Sequence, residues 1–186
     1  MEQTEKSKPY RRDLPIHDAE VDNSFKYDVA DQVGGEGLLH CLKCGACSGG
    51  CPVSSVIDYR PRNVLGHVLL GLKDEVLSGE DIWLCAACFT CEERCVQQVN
   101  FTDVVTILRN MASRKGNAAP GYIKMAKMVL ENGRVTTRTS LVDKMREKLG
   151  LPPIQDPDVE QLGKIMRSAG MMEVFEANRH KEEEEE

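Results

Sequence analysis

The sequence is poor in aromatic residues and in long hydrophobic runs. Of its 186 residues, 5% are aromatic and 41% are apolar, below the roughly 45–50% apolar content of ordinary soluble domains. The most apolar stretch, residues 64–72, contains a histidine and two glycines, whereas a membrane-spanning helix needs about 20 predominantly apolar residues. The polar N-terminus lacks the apolar segment of a signal peptide. We therefore expect a modest hydrophobic core, no membrane segment and a cytoplasmic location.

The sequence also lacks the motifs that bind nucleotides or attack substrates. It contains no G-x-G-x-x-G pattern and no phosphate-binding P-loop, so dinucleotide and nucleoside triphosphate chemistry is not expected. No cysteine stands outside the two runs described below, which leaves no spare thiol to act as a nucleophile. The four histidines are scattered, at positions 17, 40, 67 and 180. We therefore expect no catalytic residue on this chain.

The net charge is dominated by one end of the chain. The formal value is −6, but without the five glutamates at positions 182–186 it would be −1. Such a block is typical of a solvated, disordered tail. No broad basic surface is indicated, so nucleic acid is not an expected partner.

All eight cysteines lie in two runs with the same C-x2-C-x2-C-x3-C spacing, 44 residues apart. This is the bacterial ferredoxin run, in which three cysteines hold one 4Fe-4S cluster and the fourth binds the other cluster. The spacing therefore predicts two 4Fe-4S clusters with crossed ligation. The ligands expected for the first cluster are Cys41, Cys44, Cys47 and Cys95. Those expected for the second cluster are Cys85, Cys88, Cys91 and Cys51.

Zinc is the main alternative, because four thiolates also bind Zn²⁺ tetrahedrally. Zinc sites usually take their cysteines from two separated pairs, so two dense runs favour iron–sulfur clusters. A disulfide framework is less favoured, since nothing indicates secretion. Two clusters without a substrate site indicate an electron relay, which requires a donor and an acceptor. A module in which the metal only supports folding or regulation is a further alternative.

Hydrophobic periodicity predicts helices between and after the cysteine runs. They are expected from Pro61, from Thr102–Asp103 to near Gly116, from Pro120 to Asn132, from Ser140 to Leu149 and from Asp158 to Ala169. The expected segments are an extended N-terminal arm (1–34), a two-cluster domain (35–116), a C-terminal helical extension (117–177) and an acidic disordered tail (178–186). The equal spacing of the two runs suggests a pseudo-twofold internal duplication.

The cysteine runs and their flanks resemble the C subunits of heterodisulfide reductases over about residues 35–115. The resemblance is carried by CLKCGACSGGCPV (41–53), YRPR (59–62) and WLCAACFTCEERC (83–95). It implies a mainly α-helical ferredoxin-like domain in which all eight cysteines bind clusters. Val96 is the one departure, because a proline usually follows the last cysteine.

The resemblance also implies partners and a pathway for electrons. In the family, the C subunits pass electrons from the flavin-containing A subunits to the cysteine-rich B subunits, which reduce the mixed disulfide CoM-S-S-CoB in methanogenesis. In the soluble complex, flavin-based electron bifurcation couples this reduction to the reduction of ferredoxin, and a hydrogenase or a formate dehydrogenase supplies the electrons. The alternative is the iron–sulfur component of a quinone-linked, membrane-anchored dehydrogenase, since related two-cluster domains occur in such enzymes. Those enzymes usually carry additional modules, which this sequence lacks.

Overall fold

The computed structural model describes residues 21–179, and within that range it contains helices and no β-strand. The mainly α-helical architecture expected from the sequence is therefore confirmed. The α-helices are α1 Phe25–Ala30, α2 Ala46–Gly49, α3 Pro61–Leu70, α4 Lys73–Ser78, α5 Thr90–Glu93, α6 Phe101–Arg114, α7 Pro120–Asn132, α8 Ser140–Lys148, α9 Val159–Ser168 and α10 Met171–Ala177. Short 3-10 turns at Glu36–His40, Val53–Ser55 and Asp81–Trp83 lie between them.

The chain divides into two compact units, residues 1–112 and 113–186. The first unit contains both cysteine runs, and the second contains helices α7 to α10. The four segments expected from the sequence divide the chain more finely and stay a prediction. Residues 1–20 of the expected arm and 180–186 of the expected tail lie outside the described range.

The described end of the expected N-terminal arm is helical and buried, which differs from an extended arm. Helix α1 places Phe25 and Val29 on one face, and both side chains are fully buried in the core of the first unit. Residues four apart lie on the same side of a helix. Two apolar residues give too little periodicity to predict such a short helix. Its stability comes from packing against the core and not from helix propensity.

Asp22 joins this helix to the middle of the first unit. Its backbone N–H donates to the carbonyl of Gly71 at 2.8 Å. Its carboxylate accepts from Lys73 Nζ at 3.0 Å, and Lys73 also contacts Asp28 on α1 at 3.2 Å. Hydrogen bonds from Ser24, and then the Lys73 ammonium, lower the pKa of Asp22 to about 2. The carboxylate is therefore ionised at neutral pH, which keeps the pair intact.

The apolar stripe that begins at Pro61 forms two helices instead of one. Gly71 adopts a left-handed conformation, with φ of +81°, and ends α3. A Cβ at this position would lie 2.4 Å from the carbonyl oxygen of Asp22, so only glycine fits. Helix α4 then restarts at Lys73 and still buries Val76 against the core.

Helix α6 is the central element of the first unit. It begins at Phe101, one residue before the predicted Thr102–Asp103 start, and buries Val104, Val105 and Leu108. The same apolar core contains Cys91, and it is contacted by Cys41, Cys47, Cys51, Cys85 and Cys95. The hydrophobic core of this unit therefore packs directly against the cysteine runs.

The second unit follows the sequence pattern closely up to α9. Helix α7 begins at Pro120 and ends before Gly133, whose φ is +66°. Helix α8 begins at Ser140 as predicted, and Asp143 in its first turn accepts a hydrogen bond from Arg138 Nε at 2.7 Å. In α9 the Asp158 side chain accepts from the Gln161 N–H at 2.9 Å. Helix α10 was not predicted.

Asn178 is fully buried in the second unit, although the sequence places it in a disordered tail. Its carbonyl oxygen accepts from the Ala118 N–H at 2.8 Å. Its amide donates to the carbonyls of Ser113 and Val174 at 2.8 and 2.7 Å. One side chain therefore ties the end of α10 to the connection between α6 and α7.

We predict that Asn178→Ala lowers the free energy of unfolding of the second unit by about 3 kcal/mol, because it leaves buried backbone groups without partners. Chemical denaturation monitored by circular dichroism measures this loss. Asn110→Ala, at an exposed position of α6, is the control and should change stability little. Equal stability of the two variants would contradict the structural role of Asn178.

Candidate metal centre

The two cysteine runs have the same backbone conformation. Two residues after the first cysteine of each run, Lys43 and Ala87 are left-handed, with φ of 53° and 50°. Four residues after it, Gly45 and Phe89 are also left-handed, with φ of 88° and 61°. The short helices α2 and α5 then occupy equivalent positions. The internal duplication suggested by the sequence thus extends to the backbone of the runs.

Left-handed backbone is costly for residues with a side chain. Lys43, Ala87 and Phe89 each carry a Cβ, and this conformation costs about 1 kcal/mol for such a residue. Conformations of this kind persist where the surrounding structure fixes them, frequently at binding sites. Their recurrence at matched positions marks the runs as binding loops.

Backbone N–H groups in these loops donate to cysteine sulfurs. Lys43 donates to Cys41 Sγ at 3.4 Å, and Ala87 donates to Cys85 Sγ at 3.5 Å. These two hydrogen bonds occupy equivalent positions in the two runs. Val99 donates to Cys95 Sγ at 3.3 Å. Hydrogen bonds of this kind favour the thiolate that a metal requires.

The first cavity lies between the first run and the end of the second run. Apolar walls come from Leu65, Val99 and Phe101, and the exposed Arg62 stands at its edge. Val96, the residue that departs from the usual proline, also lines it. The cysteines that border this cavity are Cys41, Cys44, Cys47, Cys95 and Cys91.

The second cavity lies between the end of the first run and the second run. Its walls include Pro61, Phe101, Tyr59 and Thr102. The cysteines that border it are Cys51, Cys85, Cys88 and Cys91.

Each cavity therefore receives three cysteines from one run and the last cysteine of the other run. Cys95 lies at the first cavity and Cys51 at the second, while Cys91 borders both. Within residues 21–179, no three cysteine, histidine or carboxylate side chains converge tightly enough to hold a single metal ion. Four soft sulfur donors that border one cavity fit an iron–sulfur cluster.

The thiols differ in how readily they ionise. Burial raises the pKa of Cys91 to about 11 and also raises the pKa of Cys47. In contrast, a hydrogen bond with the Thr90 side chain lowers the pKa of the exposed Cys88. Metal ligation requires thiolates, so binding at Cys47 and Cys91 is coupled to the release of their protons.

Three arginines flank the runs, and their surroundings in the structure differ. Arg62 lines the first cavity. Arg94, from the second run, lies so close to Gly50 of the first run that a Cβ there would be 2.5 Å from its Nη1 atom. Arg60 instead pairs with Asp58 at 3.3 Å. Of the three arginines, Arg62 and Arg94 are therefore the ones placed to offset negative charge on a thiolate-bound cluster.

Arg109 is a positioning residue that the sequence analysis missed. Its Nε donates to the carbonyl of Ile82 and its Nη2 to the carbonyl of Cys85, both at 2.7 Å. Its guanidinium carbon lies 5.7 Å from the ring centroid of Trp83. The only sequence feature that could have indicated this role is the position of an arginine beside the apolar stripe of α6. Arg109 thus fixes the chain at the start of the second run.

Comparison with known proteins identifies the cysteine region. A family model described as a 4Fe-4S dicluster domain matches residues 37–99, which include both runs. The chain is 41% identical over 140 residues to the iron–sulfur C2 subunit of the CoB–CoM heterodisulfide reductase of Methanocaldococcus jannaschii, covering 72% of this chain and 75% of the relative.

A second relative matches nearly the whole chain. The C subunit of the H2:CoB–CoM heterodisulfide, ferredoxin reductase of Methanothermobacter marburgensis is 31% identical over 174 residues, covering 90% of this chain and 94% of the relative. The C subunit of the ferredoxin/F420H2-dependent CoB–CoM heterodisulfide reductase of Methanosarcina acetivorans is 37% identical over 119 residues, covering 64% and 73%. In the part of this chain that the structure describes, no helix has the length and apolar character needed to cross a membrane.

We predict that Arg109→Lys loosens the second run, because one ammonium group cannot reproduce the forked contact with two carbonyls. Loss of one charged hydrogen bond of about 1.5 kcal/mol corresponds to about tenfold faster release of the iron held there. Iron release to a chelator under anaerobic conditions measures this rate. Arg114→Lys, at an exposed position of the same helix, should release iron at the wild-type rate. If both variants behaved alike, the positioning role of Arg109 would be rejected.

Proposed function

Because the chain belongs to the family of iron–sulfur C subunits of heterodisulfide reductase, we propose that it relays electrons through two 4Fe-4S clusters. Electrons pass from the flavoprotein (the A component) to the cysteine-rich catalytic partner (the B component), which reduces the disulfide CoM-S-S-CoB. The observation that carries this proposal is the distribution of the eight cysteines over two adjacent cavities. In this proposal the chain is the electron-transfer component of an oxidoreductase and has no substrate site of its own.

The proposed ligand sets follow the crossed pattern expected from the spacing. One cluster takes the first three cysteines of the first run and the last of the second run. The other takes the first three cysteines of the second run and the last of the first run. The proposed sets are Cys41, Cys44, Cys47 and Cys95 for cluster one, and Cys85, Cys88, Cys91 and Cys51 for cluster two. The lining of the two cavities supports this assignment.

A bound 4Fe-4S cluster supplies reversible one-electron transfer. The chain contributes the sulfur ligands, the backbone donors and the apolar walls that limit access of water. Phe101 and Cys91 line both cavities, so the two sites share a wall. This adjacency supports electron transfer from one site to the other within the chain.

A relay also needs two places where partners can approach. Cys44 of the first set and Cys88 of the second set are exposed, and the other cysteines are buried or partly buried. Each proposed cluster therefore has one ligand at the surface. We place the donor at one of these positions and the acceptor at the other, within a cytoplasmic complex that also contains a hydrogenase or a formate dehydrogenase.

We predict that Cys95→Ser perturbs the cluster of the first run, whereas Cys51→Ser perturbs the cluster of the second run. A serine ligand changes the potential or the stability of the cluster to which it belongs. EPR-monitored redox titration of the complex, with iron and sulfide analysis, measures both clusters. The wild-type chain should hold about eight iron atoms, four for each cluster.

Uncrossed ligation would give the reverse assignment, with Cys95→Ser altering the cluster of the second run. The matched comparisons are Cys41→Ser and Cys85→Ser, which replace the first cysteine of each run. Under crossed ligation, Cys95→Ser resembles Cys41→Ser and Cys51→Ser resembles Cys85→Ser. A wild-type chain with zinc instead of iron would rule out the relay.

We predict that the tagged chain, purified anaerobically from its native cells, brings with it a flavoprotein and a cysteine-rich partner protein. Reduction of that complex should reduce both clusters within the turnover time, and addition of the heterodisulfide should reoxidise them. Recovery of a membrane anchor in place of these partners would favour a quinone-linked dehydrogenase. Clusters that stay in one oxidation state during turnover would indicate a structural role.

A further inference from the structure

Two buried hydroxyl groups face the second cavity without a hydrogen-bond partner. Among the described residues, the Tyr59 and Thr102 side-chain oxygens are buried and make no hydrogen bond of acceptable geometry. Both residues line the second cavity. A buried polar group without a partner costs about 1–3 kcal/mol, so such groups require an explanation. Here the two groups share a wall with the cysteines of one proposed cluster.

Tyr59 is held firmly in this position. The residue is 1% exposed. Its N–H donates to the carbonyl of Ile57 at 2.7 Å, and its carbonyl accepts from the Ser54 hydroxyl. Its side chain lines the second cavity together with Cys85 and Cys51. A phenol keeps its proton at neutral pH, so the hydroxyl is available as a donor to a sulfur atom there.

Thr102 is fixed in the first turn of α6. Its backbone N–H donates to Glu92 Oε1 at 2.8 Å, and the residue is 5% exposed. Its side chain lines the second cavity together with Cys91. A buried hydroxyl on this wall can donate to a sulfur atom in the cavity.

The first cavity is different in composition. The residues that line it include no serine, threonine or tyrosine. Ser48, next to Cys47, lies outside that lining, and its hydroxyl accepts from the Arg62 N–H at 3.0 Å. The second set of cysteines also has Thr90, whose hydroxyl lies 3.5 Å from Cys88 Sγ on the exposed side. Buried hydroxyl donors are therefore concentrated at the second cavity.

We infer that Tyr59 and Thr102 donate hydrogen bonds to the sulfur atoms of the second cluster and thereby raise its midpoint potential. The reduced cluster carries one more negative charge than the oxidised cluster, so a donor stabilises the reduced form more. This inference rests on the proposed function, since it requires a cluster in the second cavity. It adds two tuning residues that are not ligands.

The test is an EPR-monitored redox titration of full-length Tyr59→Phe and Thr102→Val with their clusters assembled. Each variant removes one hydroxyl and keeps most of the side chain. Each should lower the ratio of reduced to oxidised second cluster about tenfold at a fixed potential, equivalent to 59 mV for one electron. The first cluster should keep its potential. Cys51→Ser and Cys95→Ser assign the two EPR signals.

Matched controls separate hydrogen bonding from packing. Thr102→Ser retains the hydroxyl and should restore a potential close to that of the wild type. Tyr27→Phe and Thr137→Val make the same substitutions at exposed positions that line neither cavity, and should leave both potentials unchanged. Pulsed EPR in deuterated water gives a second readout, because wild-type reduced cluster two should show an exchangeable proton that Tyr59→Phe lacks.

The outcomes separate this inference from the proposed function. Full iron content with an unchanged second potential in both variants would overturn the inference and leave the relay intact. Thr102→Ser with the same potential as Thr102→Val would also overturn it, since packing would then explain the shift. Wild-type protein without a second cluster would instead reject the proposed function. If Tyr59→Phe fails to assemble clusters, the Thr102 pair decides the question.

Discussion

The convergence of eight sulfur atoms on two cavities is the constraint on which the first unit depends. Cysteines three residues apart can face one cavity only if the loop turns tightly, and the left-handed residues Lys43 and Ala87 provide that turn in both runs. The last cysteine of each run then reaches the opposite cavity. The two loops are therefore connected across the unit, and helix α6 packs against both through Phe101.

This arrangement explains how a chain with few aromatic residues forms a stable unit. The apolar core contains Cys91 and is contacted by five other cysteines, so part of the interior consists of sulfur in place of large hydrocarbon side chains. Metal binding at such ligands contributes to folding directly, because the site does not exist in the unfolded chain. We therefore regard the core and the candidate metal centre as one cooperative structure.

Local patterns predicted the parts of the structure that depend on local chemistry. The cysteine spacing predicted a crossed grouping, which the lining of the cavities supports, and Pro120 and Gly133 marked both ends of α7. The features that were missed depend on contacts between distant residues. Helix α1 is stabilised by burial of Phe25, Asn178 bonds to residues more than 50 positions away, and Arg109 binds carbonyls on another segment. No sequence window contains both partners of such contacts.

The surroundings of the two cavities differ in a way that bears on a relay. Arg62 at the first cavity is exposed, so its effect is screened by water and salt. A docked partner that excludes water would strengthen that charge. Tyr59 and Thr102 at the second cavity are buried, and their dipoles act at low dielectric whether or not a partner is bound. The effect of these two hydroxyls on the second site is therefore independent of docking, whereas the effect of Arg62 on the first site depends on it. In a relay, such a docking-dependent charge can couple electron transfer to assembly of the complex.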